Sequence, residues 1–435
     1  MELDRTKQPS ICPMETFQIQ RPEMLEMPNG IPVRIFRAGE EEVVRLDIMI
    51  RGGLLEQTQP LQAVFTARML REGTARFSSA EIAEKLDYYG AWLDVSSSMT
   101  HSFLTLYTLN KYFAQTFALL VSMLKEPTFP EREFAVVVDG NRQQFLVNRE
   151  KVEVLARKEL NIRLFGRNHP FGRYAELEDY ERITTAVLRT MHQHYYCAKN
   201  CTCYLSGYVT DEILKLMESE LGQDMWGSAE GISPSLVDCL PESLNGKRCF
   251  IERPEALQSA VRMGCFTVDS LHPDFLKLRF MVTLFGGYFG SRLMKNIRED
   301  KGYTYGIGAG LVAYPFRNML VVNTQAANEY ANEVIREVNY EMERLQAELV
   351  SSEDLDMVKN YVMGDMCRSY ESPFSMADAY IFLETSGLSD DFFTRAQQTV
   401  ADITAEDVRD MACKYLRKES FTEVIAGKNC DEMDA

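Results

Sequence analysis

The sequence predicts an α+β fold made of two homologous domains, each an antiparallel-rich sheet with helices packed on it. Two observations carry this. A pair of strand-like runs followed by an amphipathic helix occurs twice, at residues 92–124 and again at 305–345. The order of elements after Gly90 also matches the order after Gly302, and those glycines lie 212 residues apart in a chain of 435. Self-similarity on that scale means paired domains, because solenoid units repeat every ~20–50 residues. Hairpin-connected strands mixed with helix pairs give the α+β class. The expected division is an N-terminal domain at 1–228, a Gly/Ser/Pro-containing linker at 229–248 and a C-terminal domain at 249–435.

The elements follow from local patterns. Residues 33–36 and 43–50 are rich in Val, Ile and Leu and read as strands. A helix begins after Phe77-Ser78, where Ser78 and Glu81 are spaced as a capping box, and Gly90 is placed to end it. Strands at 92–97 and 100–109 lead into a helix at 112–124, and further helices fill 131–164 and 185–195. A strand at 203–208 and a helix at 211–221 close the half. The second half has a strand at 260–266, helices at 273–284 and 293–297, and strands at 305–312 and 319–324. A long helix then presents Val334, Ile335, Val338, Met342 and Leu345 on one face. Helices rich in Met and Tyr reach Tyr415, and a last strand spans 421–426.

Composition narrows the function class. The net charge of −17 speaks against a nucleic-acid partner. No apolar run approaches the ~20 residues of a membrane span, and the first twenty-one residues lack the apolar stretch of a signal peptide. A cytoplasmic location is therefore expected. Ten cysteines without a regular framework read as reduced thiols, mostly small core residues.

The stretch Leu61 to Thr74 follows Gly52-Gly53 and ends in Gly73-Thr74. It resembles the start of the insulinase/pitrilysin-type metallopeptidases, in which an inverted zinc motif, H-x-x-E-H, precedes such a Gly-Thr pair. In this sequence the two His positions hold Val64 and Arg68, and the Glu position holds Ala67. Neither an aliphatic side chain nor a guanidinium ligates Zn²⁺. The family supplies a further Glu ligand from a later helix, and the count along this chain reaches Gln143 and Gln144, so Gln144 is taken as the degenerate third position. The resemblance covers nearly the whole chain and implies two related α+β domains forming half of a clamshell, with no zinc in this chain.

A second segment keeps the family pattern. Ser291-Arg292-Leu293 through Arg298-Glu299-Asp300-Lys301-Gly302-Tyr303-Thr304-Tyr305 resembles the family's S-R-L…R-E-x-x-G-x-x-Y segment. The resemblance implies that Arg298 and Tyr305 contact the substrate or its oxyanion in trans, at the zinc site of a partner chain. A guanidinium and a phenol suit that task because both donate hydrogen bonds to developing negative charge.

Other candidates read as structure. Gly286-Gly287-Tyr288-Phe289-Gly290-Ser291 lacks the Gly-Lys-Ser/Thr of a phosphate loop, and the family resemblance implies a flexible loop beside the peptide channel. His192 and His194 are two apart on a helix and point apart, while Cys201 and Cys203 alternate onto one strand face with Leu205. His169 falls in a Pro/Gly turn and is expected to pack or hydrogen-bond.

The favoured function is a non-catalytic subunit of a heterodimeric zinc peptidase. Its partners would be a homologous zinc-bearing subunit and an extended oligopeptide, with a homodimer as the arrangement of the chain alone. The alternative is a non-enzymatic peptide-binding or scaffold protein with the same fold.

Overall fold

The computed structural model describes Thr6, residues 17–228 and residues 248–430. The expected linker falls on residues outside that set, apart from Arg248.

Two sheets organise the molecule. Strands β1 (Glu23–Glu26), β2 (Pro32–Arg37), β3 (Val43–Arg51), β4 (Trp92–Ser97), β5 (His101–Leu109) and β6 (Cys201–Gly207) form the first, ordered β1-β2-β6-β3-β5-β4. Strands β7 (Cys249–Glu252), β8 (Gln258–Phe266), β9 (Thr304–Tyr314), β10 (Arg317–Ala327) and β11 (Thr422–Gly427) form the second, ordered β7-β11-β8-β10-β9. With β1 set aside, the two orders coincide. Each sheet also has one parallel pair, β2 with β6 and β7 with β11, among antiparallel neighbours. Strands β4 and β9 are the equivalent free edges. The four-residue strands β1 and β7 carry no run of buried residues, which is why the sequence pattern does not announce them.

The first half carries helices α1 (Gln62–Met69), α2 (Ser79–Tyr89), α3 (Phe113–Lys125), α4 (Glu131–Asn148), α5 (Val152–Phe165), α6 (Asp179–Arg182), α7 (Thr185–Tyr195) and α8 (Asp211–Met217). The second carries α9 (Phe275–Val282), α10 (Ala331–Ala347), α11 (Ser352–Arg368), α12 (Pro373–Ser386), α13 (Phe392–Asp402) and α14 (Ala405–Tyr415). The capping box forms as expected: Glu81 N donates to Ser78 Oγ and Ser78 N donates to Glu81 Oε2. Where the first half has α2, the second has a π-helical turn, Met294–Asp300. Both end on a left-handed glycine, Gly90 at φ 60° and Gly302 at φ 68°. After Gly90 the next amide, Ala91 N, reaches back to Leu86 O; after Gly302, Tyr303 N reaches back one residue further, to Ile297 O. The wider turn accommodates that extra residue.

The halves are joined by exchange. Helix α5 comes from the first half and packs on β8 and β11 of the second sheet. Its Ala156, Leu160, Leu164 and Phe165 are buried among Met319, Val321, Val424 and Ala426. Gly264 of β8 lets Leu160 approach, because a Cβ there would lie 3.0 Å from Leu160 Cδ2. Helix α12 of the second half does the reverse on β2 and β6, where Met376, Ala377, Tyr380 and Leu383 pack on Phe36, Met49 and Tyr204. This explains why β6 is buried at all seven positions: its Cys201-Cys203-Leu205 side faces its own core, and Thr202 and Tyr204 face α12, both hydrogen-bonded to Glu384. Arg45 of β3 fixes the other end of α12, pairing with Asp47 at 2.7 Å and with Asp378. A buried charge of this kind is tolerable only when fully paired.

Because α5 closes the opposite half's core, Leu160→Ala should destabilise the whole chain by about 2–5 kcal/mol. A urea melt should remain a single transition in which signals from both halves move together; an early loss of only the first half's signal would contradict the exchange.

Candidate functional site

Helix α1 is pinned in the first core. Phe65 is fully buried and meets Phe134 of α4 edge-on at 6.5 Å and Tyr180 at 6.3 Å. The helix starts from Leu61 in the left-handed region at φ 73°, a conformation that costs a non-glycine residue roughly 1–2 kcal/mol. Ala67 is buried and offers no proton acceptor. Val64 and Arg68 line a cleft of about 700 Å³ together with Arg71, the Asp94–Ser97 edge of β4, and Val137, Gly140 and Asn141 of α4. Gln144 is not among the lining residues. It lies one turn beyond Gly140, exposed, with Nε2 donating to Asn148 Oδ1 at 3.1 Å. The count along the sequence therefore overshoots the cleft, which α4 lines with Val136, Val137, Gly140 and Asn141. None of these α4 residues carries a carboxylate; Glu72 and Asp94 line the cleft, but with Val64 and Arg68 at the His positions the lining does not compose the family's zinc set. Among the described residues no group of three or more His, Cys, Asp or Glu has metal-holding geometry.

Arg298 and Tyr305 do come together. Arg298 sits in the π-helical turn and Tyr305 near the start of edge strand β9. Arg298 Nε donates to the Tyr305 carbonyl at 3.0 Å, and its guanidinium lies 4.5 Å from the centre of the Phe289 ring. That cation–π contact and the hydrogen bond orient the fork. The Tyr305 side chain is 93% exposed and that of Phe289 63%. Tyr305 also borders a smaller cleft of about 400 Å³ with Glu153 of α5 and Arg262 of β8. Composition gave no cue to Phe289; its place three residues after Gly286, in the same segment as Arg298, was the available signal.

The glycine segment is less free than expected. Gly286 is buried at the end of a π-helical turn (Thr283–Gly287), and a Cβ on it would lie 2.6 Å from Ala309 Cβ. It serves close packing of the turn on β9, and only Tyr288–Gly290 form a connecting loop. Ser291 is fully buried. His169 accepts from Phe171 N at 3.1 Å and stacks on Phe165. His192 Nε2 donates to Leu124 O at 2.9 Å and stacks on Tyr196, whereas His194 meets Tyr195 edge-on. Burial raises the thiols of Cys197, Cys201 and Cys203, the last to about 12. Neutral thiols in a core are poor nucleophiles and poor ligands.

The insulinase family, peptidase family M16, matches residues 38–167, and the family's inactive-domain description matches residues 182–362. Together they span well over half of the chain. The chain belongs to peptidase family M16. It is similar to the uncharacterised zinc protease YmxG of Bacillus subtilis, 21% identical over 79% of this chain and 83% of that protein. It is also similar to the non-peptidase homologue YmxG of Helicobacter pylori, 25% identical over 60% of each chain. Two solved structures share the fold. An M16 inactive domain from Pseudomonas fluorescens has a TM-score of 0.82 at 22% identity, covering 94% of this chain and 98% of that one. A protease from Helicobacter pylori has a TM-score of 0.83 at 15% identity, covering 94% and 100%. An M16 frame with Val64, Ala67 and Arg68 at the motif positions fits a non-catalytic, peptidase-like member of the family. No helix among the described residues is long and apolar enough to cross a membrane.

Burial holds the His192 imidazole below its ordinary value of 6.5, so the folded state favours the neutral ring. Below that pH the unfolded chain binds a proton that the folded chain resists, and stability is lost as pH falls. The urea midpoint should decline between about pH 7 and pH 5. His192→Gln, which keeps a donor for Leu124 O, should flatten part of that decline; an unchanged slope would contradict it.

Proposed function

We propose that this chain is the non-catalytic subunit of a two-chain zinc peptidase, shaping the peptide chamber and offering Arg298 and Tyr305 to a zinc-bearing partner. One observation carries the reading: the guanidinium is fixed from two sides while the Tyr305 phenol stands almost wholly in solvent. A tyrosine in a strand ordinarily buries its ring. Here the ring contributes little to this chain's own packing, and a group so placed is available to a second surface.

The chemistry suits that use. Hydrolysis at zinc develops negative charge on the scissile oxygen, and preorganised donors lower the barrier most where water is excluded. The partner would supply the metal and the activated water. This chain would supply the two donors, and strand β4 would supply an unpaired edge along which an extended oligopeptide can add as a further strand. The two halves, divided at 228 and 249, act in this reading as one rigid wall of the chamber, in the cytoplasm.

The second reading is a non-enzymatic peptide-binding or scaffold protein. It is favoured by the cleft beside α1, about 700 Å³ in volume, which has no His at the motif positions and runs along the free edge of β4.

Reconstitution separates the two. Mixed with a zinc-bearing M16 chain, the protein should support cleavage of a fluorogenic peptide that neither chain cleaves alone. Arg298→Ala and Tyr305→Phe should each reduce the rate on the order of 10²-fold, the effect of removing one oxyanion donor. Full activity in both variants would leave only the scaffold reading.

A further inference from the structure

Arg68 stands where the family places a zinc ligand, and Arg71 follows one turn later on the same wall of the cleft. Both are exposed, and among the described residues neither guanidinium has a hydrogen-bond or ion-pair partner. In a chain of net charge −17, this cleft thus holds two arginines that make no ion pair among the described residues.

Two acids, Glu72 and Asp94, also line the cleft, and neither is paired with these arginines among the described residues. Glu72 accepts from Ser79 Oγ at 2.8 Å, at the start of α2, where the helix N-terminus also favours negative charge. Asp94 lines the cleft at the β4 edge and makes no hydrogen bond or ion pair with either arginine among the described residues. A third donor faces the arginines from across the cleft. Asn141 Oδ1 accepts from Tyr180 Oη at 2.9 Å, which fixes the amide and leaves Nδ2 without a protein acceptor among the described residues.

We infer that this cleft is a carboxylate site: the guanidinium of Arg68, supported by Arg71 and Asn141, takes over the place of the lost metal and grips a carboxylate carried by an extended peptide lying along β4. The inference rests on the peptide-binding reading above and names the ligand class. A guanidinium presents a planar fork of donors that matches a carboxylate in bidentate geometry. A zinc ion polarises a neutral carbonyl, whereas a guanidinium in the same place selects a charged group. The carboxylate can be the peptide's C-terminus or an Asp or Glu side chain.

Three N-terminally dye-labelled peptides of one neutral sequence test this by fluorescence anisotropy: amidated, with a free C-terminus, and amidated with one central Glu. At least one carboxylate-bearing peptide should bind about tenfold tighter than the amidated one, the effect of one charge-assisted hydrogen bond, and which of the two does so identifies the source. In the Arg68→Gln/Arg71→Gln double variant the ratio of carboxylate-bearing to amidated peptide affinity should fall to about one. Both positions are exposed, so the fold should tolerate the change. Equal binding of all three peptides to the wild-type chain, or a preference that survives in the double variant, would overturn the carboxylate site and leave peptide binding standing. Failure of every peptide to bind would remove both.

Discussion

The exchange of α5 and α12 between the two sheets is the constraint on which the rest depends. Each sheet has one face covered by helices of its own half and the other by a helix lent from the opposite half. Neither half can therefore bury both faces of its sheet alone. The two apolar contacts are reinforced at α12 by buried polar links, Arg45 with Asp47 and Asp378, and Tyr204 and Thr202 with Glu384. Such pairs contribute little net energy against an apolar alternative but penalise a wrong docking heavily, because a misplaced helix would strand a buried charge. Two repeats that could hinge on a linker are instead a single wall, and the edges β4 and β9 keep fixed positions on it.

That rigidity fixes the residues of the proposed site. Arg298, on the π-helical turn Met294–Asp300, and Phe289, in the loop before it, hold each other, and the preceding turn, Thr283–Gly287, packs against β9 at Gly286. The wider turn ends on Gly302, and the strand that follows carries Tyr305 outward. In the first half the equivalent place, the α2–β4 corner, closes on Gly90 and presents the free edge of β4 to the cleft beside α1. One architecture, used twice, thus places the proposed donor pair, Arg298 and Tyr305, at one corner and a free strand edge beside Arg68 and Arg71 at the equivalent corner.

Much of this was legible in the residues. The repeat showed in the recurring hairpin–helix unit and the spacing of Gly90 and Gly302, and the capping box at Ser78 and Glu81 marked a helix start to the residue. The loss of the metal set was plain in Val64, Ala67 and Arg68. What the sequence could not show was which sheet a helix serves: the apolar face of α5 says that it is covered, not by what. Gln144 shares the helix phase of Val137, Gly140 and Asn141 but lies one turn further along α4, and a count along the chain does not see where a helix passes its neighbour. Gly286 read as flexible because a glycine needed for close packing looks the same in sequence as one needed for freedom. Arg71 drew no notice because an arginine on a helix end is ordinarily a solvated charge, and only the cleft shows it beside Arg68.

The central claim is that an M16 scaffold has kept its donor pair and its strand edge while giving up its metal. The direct measurement is the zinc content of the purified chain after equilibration with excess zinc and dialysis, read by mass spectrometry. The account predicts no retained zinc, in the wild-type chain and in Arg68→Gln alike. One zinc per chain that is lost on mutating Arg68 or its neighbours on α1 would contradict it.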